Sequence, residues 1–188
     1  MGSLMKYQPH VDFSAQAIAF RALQHLYIRL QDGELEEYEH LPIVVFAAFS
    51  IEAYINSIGF RKVNFWNQYE RRSWRKKIEI LHANVGATPN WNADPLQLAT
   101  QLFEIRDRLA HGKPESVCGP LCNEYNEAQS ALMVQCLKPQ WFSVITKEWL
   151  LGTNDRVCKL MAYLGSLYRL PDNDFTDHSI GHVTEHES

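Results

Sequence analysis

The sequence lacks an uninterrupted apolar run of about 18 residues, the length a membrane-spanning helix needs. Its longest apolar stretch, LPIVVFAAFSIEAYI, carries Ser50 and Glu52 and reads as a helix buried among other helices. Cysteine is sparse: there are four, Cys118, Cys122, Cys136 and Cys158. No basic-then-apolar leader precedes them, which predicts reduced thiols and a cytoplasmic protein, with no disulfide framework. Cys118 and Cys122 flank a Gly-Pro turn, but two further ligands at compatible spacing are missing, so neither a metal nor a cofactor is expected. Excess positive charge is missing too. A net charge of −4 and a pI near 6.0 exclude a protein that coats nucleic acid through bulk charge, and leave room only for a local basic patch. No segment alternates apolar and polar residues long enough to predict a sheet, and there are no internal repeats or low-complexity tracts.

What is present is a chain of 188 residues, 46% hydrophobic and 12% aromatic, enough for one domain with a sizeable core. Apolar residues recur at helical spacing from Phe13 to about Asp32, where Asp32-Gly33 is a stop signal. The segment from Leu41 to about Phe60 is apolar on nearly every side, which predicts the central helix of a bundle. A third helix is expected from about Ser73 to Asn84. In NADPLQLATQLFEIRDRLAHG, Asp94 is the expected N-cap, Pro95 the first helical residue, Gln97 the capping-box partner and Gly112 the residue just past the end. Further helices are expected at about Cys122 to Leu137, after Pro139, and at about Asn154 to Leu170, with GTND as a break. The fold class is therefore all-α: a helical domain over residues 1–170 and a flexible polar tail over 171–188. In that tail His178, His182 and His186 recur every four residues. They could line one face of a helix and bind a metal, but Gly181 interrupts a polar segment, and a tail without a site is preferred.

The helix that ends FEIRDRLAH contains an anomaly. At 100° per residue, Ala99, Leu102, Phe103, Leu109 and Ala110 form one stripe with Arg106 near its middle. A guanidinium stays charged and its unpaired desolvation is costly, so Arg106 calls for an anion. Glu52 is the only acid in the apolar run of the central helix, and Asn56 follows one turn later on the same face. Glu52 and Arg106 read either as a buried structural pair or as a functional arginine held by a supporting carboxylate. A buried pair is often no more stabilising than apolar packing, which favours function. His111 lies about 140° round the helix and roughly 7.5 Å further along its axis. A helix-terminal histidine is commonly a cap that suits the dipole; as a catalytic group it would need a second copy of the helix, or an unwound helix end, to meet Arg106.

Arg106-Asp107-Arg108-Leu109-Ala110-His111 resembles the R-x4-H motif of the HEPN superfamily (higher eukaryote and prokaryote nucleotide-binding domain), with a polar residue directly after the arginine and the continuation AHG. The earlier helix AAFSIEAYIN resembles that family's other characteristic helix, and the resemblance covers about Phe13 to Gly112. It implies a four- to five-helix bundle, here with additional C-terminal helices, that forms a homodimer through the motif helix with a shared cleft. It also implies a metal-independent endoribonuclease of toxin–antitoxin or phage-defence type, with RNA as substrate and an antitoxin of nucleotidyltransferase type as a further partner. Carried over, Arg106 would hold the scissile phosphate, His111 would act as general base or acid around the ribose 2′-hydroxyl, and Asp107 would orient one of them. Arg108, on another face, is the alternative phosphate ligand. Histidine and arginine suffice for such chemistry because RNA supplies its own nucleophile, and the products would be a 2′,3′-cyclic phosphate and a 5′-hydroxyl. The alternatives are a catalytically inactive HEPN-like module that binds RNA, nucleotide or a partner protein, and a bundle in which the motif arose by chance.

A second feature lies upstream. Arg61, Lys62, Arg71, Arg72, Arg75, Lys76 and Lys77 are seven of the 18 basic residues, interleaved with Phe65, Trp66, Tyr69 and Trp74. Cations track phosphates and aromatic faces stack on bases, so Arg71, Arg72, Trp74, Arg75, Lys76 and Lys77 are candidate contacts to single-stranded RNA. The competing reading is a solvated helix face whose tryptophans pack inward.

Overall fold

The computed structural model describes residues 5–134, 137–176 and 180–187. It is mostly helical, as expected, with helices α1 (Ala15–Gln31), α2 (His40–Lys62), α3 (Trp74–Asn84), α4 (Leu96–His111), α5 (Tyr125–Val134), α6 (Gln140–Ser143) and α7 (Lys147–Ser166). Short 3-10 turns lie at Glu37–Glu39, Trp66–Gln68 and Asp174–Thr176. Two strands, β1 (Met5–Asp12) and β2 (Ile180–Glu187), pair antiparallel, with Met5 opposite Glu187 and Asp12 opposite Ile180.

Helix α2 is the centre of the bundle and packs against α1, α3, α4 and α7. Its residues Ile43, Val44, Ala47, Ile51, Tyr54, Ile55 and Ile58 are fully buried, and Leu102 and Phe103 of α4 and Leu160 and Leu164 of α7 close around them. Glu37–Lys62 is long and apolar enough by composition to cross a membrane, with a mean hydropathy of 1.7. Its packing against four neighbouring helices is what the central helix of a bundle requires, and one face, with Phe49 and Phe60, stays exposed. The end of α2 turns sharply. A Cβ on Gly59 would overlap the Trp66 ring, so glycine lets the indole fold back on the helix and bury.

Several boundaries fall where local signals place them. Ser14 and Ser73 cap α1 and α3, accepting from the Ala17 and Lys76 backbone N–H groups. Gly112 ends α4 with φ 51°, in the left-handed region that suits glycine. Three expectations need correction. Helix α4 begins at Leu96, after Pro95, and Asp94 does not cap it: its carboxylate pairs with Arg156 of α7 through contacts of 2.6 and 3.1 Å. Gln97 likewise donates to the Asn92 carbonyl and completes no capping box. GTND does not break the chain, because α7 starts at Lys147 and runs through it. Buried Thr153 keeps its hydroxyl satisfied by donating to the Leu150 carbonyl at 2.7 Å and meeting the Tyr27 hydroxyl at 2.6 Å. That burial pushes the Tyr27 phenol up to about 12.

The third correction concerns the tail. Asp174 and Phe175 are buried, with the Phe175 ring set edge-on to Phe20 and Tyr54. Beyond them β2 pairs with β1, against the expectation that no sheet forms: β1 does alternate, with Met5, Tyr7, Pro9 and Val11 set against Lys6, Gln8, His10 and Asp12, while β2 does not. Backbone hydrogen bonding depends on the partner strand, so a weakly patterned strand is invisible in its own sequence. His182 and His186 lie on β2, not on a helix, and His178 lies outside the described residues. The Gln135–Cys136 end of the expected Cys122–Leu137 helix also lies outside them.

Candidate functional site

Arg106 projects from α4 toward α2, as the apolar stripe demands. Its side chain is only 22% exposed, and Nη2 lies 3.6 Å from Glu52 Oε2. That separation is an ion pair but too long for a hydrogen bond. Arg106 Nε lies 2.9 Å from Asp107 Oδ1, but its N–H is not aimed at that oxygen, so the buried Nε has no hydrogen-bond partner. The guanidinium also sits 5.0 Å over the Phe103 ring, whose plane stacks on Trp74 at 4.4 Å. Glu52, Asp107 and Phe103 thus hold the guanidinium without using all of its donors.

Glu52 is not a private partner. Its Oε1 accepts from Lys77 Nζ at 3.1 Å, and the Lys77 side chain is 3% exposed. Lys77, Glu52 and Arg106 form a chain of alternating charge across α3, α2 and α4, in which each partly desolvated charge has an opposite neighbour. The sequence reading places Lys77 on a solvated, RNA-facing stretch, and the structure corrects this. Trp74, Lys77, Ile78 and Leu81 share one face of α3, so Lys77 carries the same signal as Arg106: a cation within an apolar stripe. Asn56 does not support Arg106 through its carbonyl, because Oδ1 is buried without a hydrogen-bond partner.

His111 ends α4 and is exposed. It lines an open groove of about 370 Å³ with Asp107, Arg108, Lys113 and Glu115. Asp107 therefore borders both features: it contacts Arg106 and shares the groove with His111. Arg106 is not among the lining residues of that groove, so the single chain brings Asp107, Arg108 and His111 together and leaves Arg106 on the α2 side. Sequence reasoning missed Glu115 and Trp141. The Glu115 carboxylate accepts from Trp141 Nε1 at 3.0 Å and lies 3.4 Å from Arg108 Nη1, tying the segment after α4 to the groove. The Trp141 contact joins residues 26 apart, which no local pattern reveals.

The basic stretch divides in two. Trp74 packs inward, stacked on Phe103 and edge-on to Trp91 at 5.9 Å, and Arg75 covers the Trp91 ring at 4.2 Å. Lys77 consequently presents no surface to a nucleic acid strand, and Trp74 is half-buried with its ring committed to Phe103 and Trp91. Arg71, Arg72 and Lys76 do remain exposed, and they line a separate open cleft.

No family model, curated protein or solved structure matches this chain. The site itself consists of an arginine held between carboxylates at an interhelical contact, and an open groove with a histidine, two acids, a second arginine and a lysine at the end of the same helix.

Proposed function

We propose that the chain is a HEPN-like, metal-independent endoribonuclease, acting as a homodimer in a toxin–antitoxin or phage-defence setting. The observation that carries this reading is the end of α4, where Arg106 is oriented by Glu52 and Asp107 while His111 opens into a groove bordered by the same Asp107. An arginine with unused donors suits a phosphodiester, since its fork binds phosphate oxygens in two places. An exposed histidine suits proton transfer. In the reaction the 2′-oxygen bonds to phosphorus as its proton passes to a base, and the bond from phosphorus to the 5′-oxygen breaks as an acid protonates the leaving group. Arg106 offsets the charge that builds on the phosphorane. Both proton transfers can run through one histidine: in a two-fold pair of α4 helices, His111 of one copy would take the 2′-proton and return it to the 5′-oxygen opposite Arg106 of the other.

The test is incubation of the chain with RNA in excess EDTA, beside His111→Ala and Arg106→Ala. Cyclic-phosphate ends from the wild type, with each variant slowed by about 100-fold or more, are expected. Full activity in either variant would remove that residue from the mechanism, and activity abolished by EDTA would point to a metal enzyme. A second reading, a non-catalytic module binding RNA, nucleotide or a protein, is favoured by one observation: Arg106 already has two carboxylate neighbours within the single chain. Intact RNA with wild type and variants alike would select it.

A further inference from the structure

A cleft of about 960 Å³ lies between the segment that follows α2 and the outer face of α3. It shares no lining residue with the His111 groove. Ser73, Lys76, Ile80, Ala83 and Asn84 line its α3 side, recurring at the three- and four-residue spacing of one helix face. Lys77, one step round, points instead to Glu52. Arg71, Arg72 and Lys76 give the lining its positive charge, with Asn64, Tyr69 and Asn84 completing its polar and aromatic part. Lys76 shares its charge with Glu79 at 3.0 Å, whereas neither Arg71 nor Arg72 makes an ion pair among the described residues. Two adjacent unneutralised guanidiniums on a chain of net charge −4 form a local field that the overall composition conceals.

Phe65 supplies the second observation. It follows directly on Asn64 of the cleft, is 76% exposed, and has a backbone at φ 60°, ψ 28°. A bulky residue in the left-handed region is strained, and the conformation suits asparagine or glycine far better. The turn itself has a structural reason, because the chain must reverse there to fold Trp66 onto Gly59. Phenylalanine has none: it neither favours this backbone nor buries its ring. Phe60, 75% exposed near the end of α2, adds another uncovered ring to the same turn region.

We propose that this cleft is a strand-holding site for single-stranded RNA, in which Arg71, Arg72 and Lys76 follow the phosphates and the exposed Phe65 ring stacks on an unpaired base. Cations along a groove beside a solvent-facing aromatic ring are the combination that unpaired strands require. The proposal rests on the ribonuclease reading in naming RNA as the ligand, and it adds a contact away from the cutting groove that would fix where a strand is held.

The experiment uses the full chain carrying His111→Ala, so that RNA is not consumed, and fluorescence anisotropy with a 5′-fluorescein-labelled oligouridine in EDTA. Adding Arg71→Ala with Arg72→Ala should weaken binding at least tenfold and lower the salt slope by about 1 to 1.5, the effect of losing two phosphate contacts on a single strand. Adding Phe65→Asn, which suits the left-handed backbone while removing the ring, should weaken binding by about 5- to 100-fold. Its circular dichroism and urea midpoint should stay unchanged or improve, which separates loss of stacking from loss of fold. Unchanged affinity and salt slope in the arginine variant, or unchanged affinity in Phe65→Asn, would overturn the proposal. So would displacement of the RNA by polyglutamate as readily as by unlabelled oligouridine, since that describes a general polyanion surface. Binding through the cleft without wild-type cleavage would sink the catalytic reading alone; cleavage with cleft variants that bind normally would sink this one alone.

Discussion

Asp174 joins the polar segment after α7 to the centre of the bundle. Arg61 donates to both of its oxygens, at 3.0 and 2.6 Å, and the buried Tyr54 hydroxyl donates to Oδ2 at 3.0 Å. The Arg61 hydrogen bonds, supported by Tyr54, hold the carboxyl below its ordinary value despite the opposing effect of burial. A carboxylate whose folded value is lowered contributes stability above the unfolded value, about pH 4 for aspartate, and that contribution is lost as pH falls through the folded value. Asp174→Asn should therefore cost about 1–3 kcal/mol at neutral pH, a range reduced because Arg61 is partly exposed. The gap between wild type and variant should narrow as the pH is lowered below about 4 and the carboxyl takes up its proton. Urea unfolding across that range measures both; a constant gap would mean that Asp174 contributes no charge-dependent stability. The sequence hides this contact, because PDNDF carries no apolar periodicity and its aspartate becomes structural only when Tyr54 and Arg61 arrive from elsewhere in the chain.

At the scale of elements, the charge chain joins three helices. Glu52 of α2 receives Lys77 from α3 on one oxygen and faces Arg106 from α4 on the other. Half of this arrangement was legible in sequence: one acid in the apolar run of α2 and one cation in the apolar stripe of α4 had to meet. The other half was equally encoded but obscured, since Lys77 ends the run Arg75-Lys76-Lys77 and a run of cations looks like a solvated face. Only the helical phase separates its members, with Lys77 turned to α2 and Lys76 to the cleft. A double-mutant cycle over Glu52→Gln and Lys77→Met should give a coupling of about 1–3 kcal/mol by urea denaturation, as expected for groups sharing a network. Lys77→Met alone should be milder than Glu52→Gln, because Glu52 then keeps Arg106, whereas a neutral amide in its place would leave buried Lys77 without its anion and Arg106 with Asp107 alone. Additive single effects would show that the three groups are neighbours without being a network. The capping of α4 makes the opposite point: Asp94 and Gln97 fit a local rule, yet the long-range pull of Arg156 wins.

At the scale of the whole molecule, the question is how Arg106 and His111 could meet. Along α4 they point in directions about 140° apart; Arg106 lies against Glu52 while His111 opens onto the groove with Arg108 and Lys113. A rigid helix cannot swing one to the other without unwinding. In the proposed dimer a two-fold axis beside α4 would remove the difficulty, because the arginine of one copy would face the histidine of the other, and each dimer would contain two such sites. This arrangement makes a demand that no single-chain site makes. Arg106→Ala and His111→Ala proteins, each inactive alone, should regain RNA cleavage when mixed and allowed to exchange subunits. A mixed dimer holds one site with both residues intact and one with neither. Random pairing should therefore restore about a quarter of the wild-type activity. Recovery at that level, rising and falling with the mixed species seen by native mass spectrometry, is the expected outcome. Mixed dimers that form but remain inactive would place both residues within one protomer and require the end of α4 to rearrange at Gly112 during catalysis.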